Sequence, residues 1–256
     1  KDPGKVLGDP VEEFRIQAHS MIQRNRLYWD DLVGRAINPA ELVDRCNIYQ
    51  QDARRLALAD GTFDLLVTSP PYAICYEYKE IHQLTQLWFE RCGILCQEHL
   101  QDAWIGSKGI AHRSQAAIVS LHTGSAAADA ALLELASLAP ASSAHGVHRE
   151  VRALRYYFQD MCAALGELVR VTAPGKRLVL IVGDSYRRGV TIPTSAALCE
   201  MACSAGFELE RKMVRQIPVR VLVSTRDKKT GRFSSSAQSD TQVYPEEHVL
   251  VFKRVI

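Results

Sequence analysis

The sequence predicts an α/β fold whose sheet presents a ligand site at the carboxyl ends of its strands. Two short apolar runs, Phe63–Val67 and Arg177–Val182, have the length and composition of buried strands, and each leads into a polar turn. Between them, apolar residues recur at helical spacing over Arg149–Val171. Because ligands in open α/β sheets bind beyond the carboxyl ends of the strands, the turns at 69–72 and 183–186 are the candidate sites. We expect the first run to be a central strand.

The other elements follow from periodicity and turn signals. Apolar residues among charges over Val11–Trp29 indicate an amphipathic helix, and Asn38-Pro39-Ala40-Glu41 is typical of a helix start. Asn47–Arg54 is predicted to be a short strand that ends at an acid. Further helices are predicted at 81–95, 130–138 and 192–205, and the apolar face of the first is expected to lie in the core. Residues 207–214 and 248–253 are predicted to form antiparallel edge strands.

Bulk composition predicts one globular domain. The chain has 256 residues, of which 47% are hydrophobic, and a net charge of +2, which is too small to indicate nucleic-acid binding. We predict a single domain over 1–256, with an Ala/Ser-rich insertion at about 98–148 and a basic loop at about 218–243. Seven cysteines, none spaced Cys-x-x-Cys, predict reduced core thiols in a cytoplasmic protein, with no metal site or disulfide framework. No membrane segment or signal peptide is predicted.

Ser69-Pro70-Pro71-Tyr72 is predicted to form a stiff polar corner after the first strand. Neither proline has an N–H, so the ladder of the strand stops there, and each proline restricts the residue before it. The Ser69 hydroxyl and the Pro70 carbonyl are acceptors suited to the N–H bonds of an exocyclic base amine. Such acceptors favour the pyramidal, developing cation over the flat, delocalised ground state. Tyr72 can stack on the base, which would first have to leave a duplex.

The run Thr68-Ser69-Pro70-Pro71-Tyr72 resembles the Ser/Asp-Pro-Pro-Tyr motif of S-adenosylmethionine-dependent DNA amino-methyltransferases. Its Ser-Pro-Pro-Tyr form is similar to enzymes that make N4-methylcytosine, whereas Asp-Pro-Pro-Tyr is typical of those that make N6-methyladenine. The resemblance implies a Rossmann-like methyltransferase sheet, mostly parallel with one reversed strand, and direct methyl transfer in which Ser69, Pro70, Pro71 and Tyr72 form the catalytic motif. A Pro-Pro turn after an ordinary strand is the alternative interpretation.

The resemblance also implies part of a cofactor site. Asp52-Ala53 matches the Asp-Ala that the family carries beside the adenine of S-adenosylmethionine, and Thr68 and Ser69 would lie along the same cofactor. An Asp52 side chain that caps a short helix over 54–58 is the other interpretation. The family's Phe-x-Gly-x-Gly loop is missing from the sequence, so the sheet is predicted to be incomplete at that end. A degenerate loop, a loop in a stretch that the sequence omits, and a loop from a second protein chain all stay open.

Three groups of residues are candidates for contact with DNA. Tyr76 lies close to the corner in sequence and can line a base pocket. Arg187 and Arg188 follow the second turn, and Arg226, Lys228 and Lys229 lie in the basic loop, where attraction to phosphate needs no base sequence. Solvated surface positions are the alternative for these five basic residues.

These features together predict a site-specific DNA methyltransferase, of the kind that the family contributes to restriction-modification. Cytosine N4 is the preferred target and adenine N6 the alternative. A non-catalytic half-site subunit that binds DNA or a partner also stays open, as does methylation of an RNA base amine.

Overall fold

The computed structural model describes residues 8–73, 82–93, 105–106, 122–138, 144–217 and 246–255. The chain divides into two compact units, Lys1–Gln50 and Gln51–Ile256. The single domain over 1–256, with its insertion and basic loop, stays a prediction. None of the helices in the described part of the chain combines the length and apolar character needed to cross a bilayer.

Within residues 8–50, the first unit contains two helices, α1 (Pro10–Gly34) and α2 (Pro39–Asp44). Asp9 and Pro10 determine where helix α1 begins. The Asp9 carboxylate caps the helix by accepting from the Val11 N–H at 2.9 Å, and Pro10 occupies the first turn. Asn38 plays the same part for α2, accepting from the Ala40 N–H at 3.1 Å. Both helices were predicted, and α1 extends past Trp29, where its prediction ended.

The second unit is built on a four-stranded mixed sheet. Its strands are β1 (Phe63–Thr68), β2 (Thr172–Val182), β5 (Phe207–Gln216) and β6 (Glu246–Arg254), in the spatial order β1-β2-β6-β5. Strands β1 and β2 are parallel, and β6 runs antiparallel to both β2 and β5. The described sheet therefore has one reversed strand, and the predicted antiparallel pairing of 207–214 with 248–253 is confirmed.

Strand β1 is not central in the described sheet. Strand β2 is its single neighbour among the described residues, and Leu65 and Val67 are 55% and 63% exposed. The prediction was wrong on this point because a short apolar run is also compatible with an edge strand that has one uncovered face.

The helices described in the second unit are α3 (Gln83–Arg91), α4 (Ala126–Ser137), α5 (Ala144–Val171) and α6 (Thr194–Ala205). Helices α5 and α6 pack against the sheet, and α4, α5 and α6 supply most of the core. Helix α5 packs against α4, α6 and β2, and its Tyr157 and Phe158 are fully buried with Leu180 of β2 and Phe252 of β6. Gly206 ends α6 at a φ of +122°, a conformation that a residue without Cβ adopts readily.

Three other expectations fail locally. Residues 47–51 form no strand, because Asp52 instead closes a tight turn by accepting from the Arg54 N–H at 2.9 Å. Helix α3 exposes Leu84 and Trp88, which were predicted to lie in the core. Of the described cysteines, none forms a disulfide, but Cys46, Cys92, Cys162 and Cys203 are exposed and are not core thiols.

An ionic cluster fastens the segment before β1 to the last turn of α5. Glu167 accepts from the Leu56 N–H at 2.7 Å and from Arg170, while the Arg170 guanidinium donates to the carbonyls of Leu56 and Leu58. The Arg170 hydrogen bond, followed by that from Leu56, lowers the pKa of Glu167 to about 2. The cluster therefore helps to set where β1 enters the sheet.

Replacing Glu167 with Gln should destabilise the fold in a pH-dependent way. Since the pKa of Glu167 is about 2 in the folded chain and 4.5 for an unperturbed glutamate, the unfolded state binds more protons between these values. The stabilisation is therefore complete above pH 4.5 and is lost as the pH falls toward 2. We expect the difference in unfolding free energy between wild type and Glu167→Gln to shrink over that interval in denaturant titrations. Glu134→Gln, on the exposed side of α4, is the matched control, and a constant difference across the interval would contradict the prediction.

Candidate functional site

The proline corner lies immediately beyond the carboxyl end of β1. Thr68, the last residue of the strand, is half-buried and pairs with Leu180 of β2. Pro70 and Ala73 are buried, whereas Ser69 between the strand and the prolines is exposed. The corner is thus anchored on both sides of a serine whose side chain is accessible from outside.

Gly106 lies beside both the corner and α5. Its φ is +84°, and a Cβ at this position would lie 3.7 Å from Pro71 Cβ and 3.5 Å from Tyr157 Cδ2. The glycine backbone therefore occupies the space between the Pro71 ring and the buried Tyr157 ring, and any residue other than glycine would be strained by its backbone angle.

Tyr72 is tethered across the sheet by its hydroxyl. The phenol donates to Glu247 Oε1 at 2.6 Å, and the other carboxylate oxygen of Glu247 accepts from Arg215. In the ladder of β5 and β6, Arg215 pairs directly with Glu247. The corner after β1 is thereby joined to the two strands at the opposite side of the sheet.

The electrostatics keep this phenol neutral. Burial first, and then the hydrogen bond to Glu247, raise the pKa of Tyr72 well above its ordinary value, while a hydrogen bond with Ser69 acts in the opposite direction. For Glu247, burial acts to raise the pKa, but the hydrogen bonds from Tyr72 and Arg215 outweigh it and the pKa is lowered. Glu247 is therefore an ionised acceptor at neutral pH and Tyr72 a neutral donor.

The second predicted turn lies at the same edge of the sheet, where Val182 pairs with His248. Asp184 accepts from the Ser195 N–H at 2.7 Å, which satisfies a donor in the first turn of α6, and its other oxygen lies 3.5 Å from His248 Nε2. Strands β3 (Ser185–Arg187) and β4 (Val190–Ile192) then form a hairpin. Asp184 therefore caps the first turn of α6 and lies beside the buried His248.

The structure separates the two arginines predicted to meet phosphate. Arg187 is 5% exposed, so its side chain does not lie at the surface. Arg188 stands at the hairpin tip with a φ of +50° and forms an ion pair with Glu150 of α5 at 2.8 Å. A contact with DNA at this hairpin would thus involve Arg188 and not Arg187.

Asp52 is engaged mainly with Arg54. Its Oδ1 accepts from the Arg54 N–H and Nε at 2.9 and 3.0 Å, and its Oδ2 accepts from Nη2 at 2.7 Å. The same guanidinium reaches Asp160 of α5 at 2.9 Å. Asp160 follows Tyr157 by three residues, or about 4.5 Å along the helix axis. Helix α5 thus carries, one helical turn apart, a residue that binds Arg54 and a residue that packs beside Gly106.

Other predicted residues have a simpler status. Ala53 is exposed beside Asp52. Tyr76, Arg226, Lys228 and Lys229 lie outside the described residues. Sequence reasoning missed Glu247 and Arg215. The available signal was that Arg215 directly follows one predicted edge strand (207–214) and Glu247 directly precedes the other (248–253), so that an antiparallel pair places them opposite each other.

Comparison with known proteins gives a distant structural resemblance. No family model matches the sequence, and no curated protein matches it. Three crystal structures of TTHA0409 from Thermus thermophilus, named a "Putative DNA Modification Methylase", match at 14% identity with TM-scores of 0.34, 0.37 and 0.36. One of them is a complex with S-adenosyl-L-methionine. The alignments cover 80% of this chain and 51%, 52% and 54% of the TTHA0409 chains, so this chain spans about half of their length.

Proposed function

We propose that this chain transfers a methyl group from S-adenosylmethionine to an exocyclic amine of a DNA base, most favourably cytosine N4. The observation that carries the proposal is the exposed Ser69 at the carboxyl end of β1, on a corner fixed by buried Pro70 and by the Tyr72 tether. It agrees with the Ser-Pro-Pro-Tyr motif, whose serine form is similar to that of cytosine N4 enzymes. Adenine N6 is the alternative base.

In the proposed reaction, the corner stabilises the positive charge that develops on the exocyclic amine of the base. A conjugated amine has a delocalised lone pair, so it becomes nucleophilic only as the nitrogen turns pyramidal. The Ser69 hydroxyl oxygen and the Pro70 carbonyl accept its two N–H bonds and favour that geometry. S-adenosylmethionine, when bound, supplies the methyl group, and its C–S bond breaks with the electron pair left on sulfur as the new N–C bond forms. The proton that the nitrogen then loses passes to water at the exposed Ser69.

Asp52 is the residue proposed to accept from the adenine amino group of the cofactor. Four hydrogen bonds from Arg54 hold its carboxylate. The side chain is 44% exposed. Arg54 fixes the carboxylate in place, which favours a directed contact over a mobile one. Ala53, Thr68 and the backbone of Ser69 would complete this side of the cofactor.

DNA is the proposed polymer because Thr68-Ser69-Pro70-Pro71-Tyr72 resembles the motif of amino-methyltransferases that act on DNA. The target base would leave the duplex, stack on Tyr72 and contact Tyr76. Arg188 at the hairpin and Arg226, Lys228 and Lys229 in the basic loop would bind phosphates.

Mass spectrometry of nucleosides tests the proposal directly. The full-length protein is incubated with S-adenosylmethionine that carries an isotopically labelled methyl group and with duplex DNA, and in parallel with RNA. We expect labelled N4-methylcytosine from the DNA. Labelled N6-methyladenine would mean that adenine N6, the alternative base, is the target. Label found in RNA alone would mean that the substrate is RNA and not DNA. No labelled nucleoside in either polymer would contradict the proposed function.

A second candidate is a half-site subunit that binds DNA or a protein partner. The specific observation in its favour is β1, whose outer edge has no strand beside it among the described residues and whose Leu65 and Val67 are exposed. A second chain that carries the missing glycine loop would pair there. Calorimetry with S-adenosylmethionine separates the candidates, because a half-site alone should not bind the cofactor measurably.

A further inference from the structure

We infer that Glu247, held by Arg215, is a positioning residue that orients the Ser69 hydroxyl through Tyr72. The inference rests on the proposed function and assigns a role to two side chains that lie outside the Ser-Pro-Pro-Tyr motif.

The contacts form a continuous chain from the corner to the opposite strands. Tyr72 and Glu247 are separated by 175 positions in sequence, yet their oxygens lie 2.6 Å apart. The Glu247 side chain is 13% exposed, and Arg215 binds its second oxygen from the neighbouring strand. Because Glu247 belongs to β6, which pairs with both β2 and β5, its carboxylate is held by the most extensively paired strand of the described sheet.

The direction of these hydrogen bonds determines what Ser69 can do. An ionised carboxylate only accepts, so the Tyr72 proton has to point at Glu247. The phenolic oxygen then offers only lone pairs, and Ser69 can bond to it only as a donor. With its proton directed at Tyr72, the Ser69 oxygen presents lone pairs to the amine N–H.

Arg215 preserves this direction. The titratable groups that act on Glu247 are Tyr72 from the corner and Arg215 from β5. Burial favours protonation of Glu247, and its two hydrogen bonds oppose it. Without Arg215, the carboxyl group would take up a proton at higher pH. A carboxylic acid can donate as well as accept, so the orientation of Tyr72 and Ser69 would no longer be fixed.

The test compares three variants of the full-length protein. Glu247→Gln removes the charge, and Arg215→Met leaves Glu247 in place without its cation. Glu246→Gln is the matched control, since Glu246 pairs with Gln216 at 3.1 Å one residue away on the same two strands. We expect kcat to fall by about tenfold to a hundredfold in Glu247→Gln, with cofactor affinity and the KM for DNA nearly unchanged. In Arg215→Met, the acidic limb of the pH–rate profile should move to higher pH, while Glu246→Gln should behave as wild type.

A second measurement needs no methyl transfer. The ultraviolet absorbance of tyrosinate is measured as a function of pH for each protein and for the same protein with the additional substitution Tyr72→Phe. The difference between the two curves is the titration of the Tyr72 phenol. Removing the Glu247 charge should lower the pKa of Tyr72 toward its ordinary value, whereas Glu246→Gln should not shift it.

The outcomes separate the inference from the proposed function. A Glu247→Gln protein that matches Glu246→Gln in kcat, in an active wild-type background, would overturn the positioning role alone. An unshifted Tyr72 titration in Glu247→Gln would also overturn it, because the tether would not exist in solution. A wild type that transfers no methyl group would overturn the proposed function, and the positioning role with it.

Discussion

Ser69→Ala should lower kcat for methyl transfer by about 10²–10³-fold while leaving the affinity for S-adenosylmethionine nearly intact. The exposed hydroxyl at the end of β1 is the side-chain acceptor that the proposed reaction uses, and loss of one preorganised polar group that acts on developing charge typically has an effect of this size. Cofactor affinity should survive because Asp52 and its Arg54 support are untouched. The rate is measured with labelled S-adenosylmethionine under single turnover, and the affinity by calorimetry.

The control for this variant is Ser137→Ala. Ser137 is an exposed serine at the end of α4 whose hydroxyl donates to the Glu134 carbonyl. The same chemical change there should leave the rate unaltered. Turnover of Ser69→Ala at the parental rate would remove the amine-acceptor role and leave the Ser-Pro-Pro-Tyr corner as a structural turn.

Leu180→Ala should destabilise the second unit by about 2–5 kcal/mol, the range for truncating a fully buried leucine. Leu180 is completely buried on β2, where it pairs with Thr68 of β1 on one side and Leu250 of β6 on the other. The cavity would therefore open beneath the strand that leads into the corner. Chemical denaturation, followed by circular dichroism, measures the change in unfolding free energy.

The neighbouring strand provides the same substitution in a different environment. Leu65 on β1 is 55% exposed, and Leu65→Ala should change the unfolding free energy by only about 0.5 kcal/mol. Equal losses in the two variants would mean that the outer face of β1 is covered in solution, which would favour the half-site candidate.

The parts of the fold that the sequence predicted are those with a strong local signal. Helix α5 shows a long apolar periodicity, the second half of β2 (residues 178–182) is a continuous apolar run, and Gly206 marks the end of α6. The proline corner is fixed by two residues with restricted φ, so its position after β1 was also predictable. In each case the determining interactions lie within a few residues in the chain.

The missed features depend on contacts between distant segments. Glu247 meets Tyr72 only because β1, β2 and β6 adopt a particular order and register, and no local pattern encodes that order. Arg187 was expected at the surface, but the hairpin tip at Arg188 and Gly189 directs it inward. Residues 47–51 have the composition of a strand, but the Asp52 side chain instead accepts from the Arg54 N–H and forms a turn there.

Helix α5 lies next to both halves of the proposed site, because Tyr157 packs beside Gly106, which lies beside Pro71, and Asp160 binds Arg54. A displacement of α5 would move Asp160 and Tyr157 together. A substitution that displaces this helix would therefore disturb the proposed cofactor side and the proposed base side at the same time.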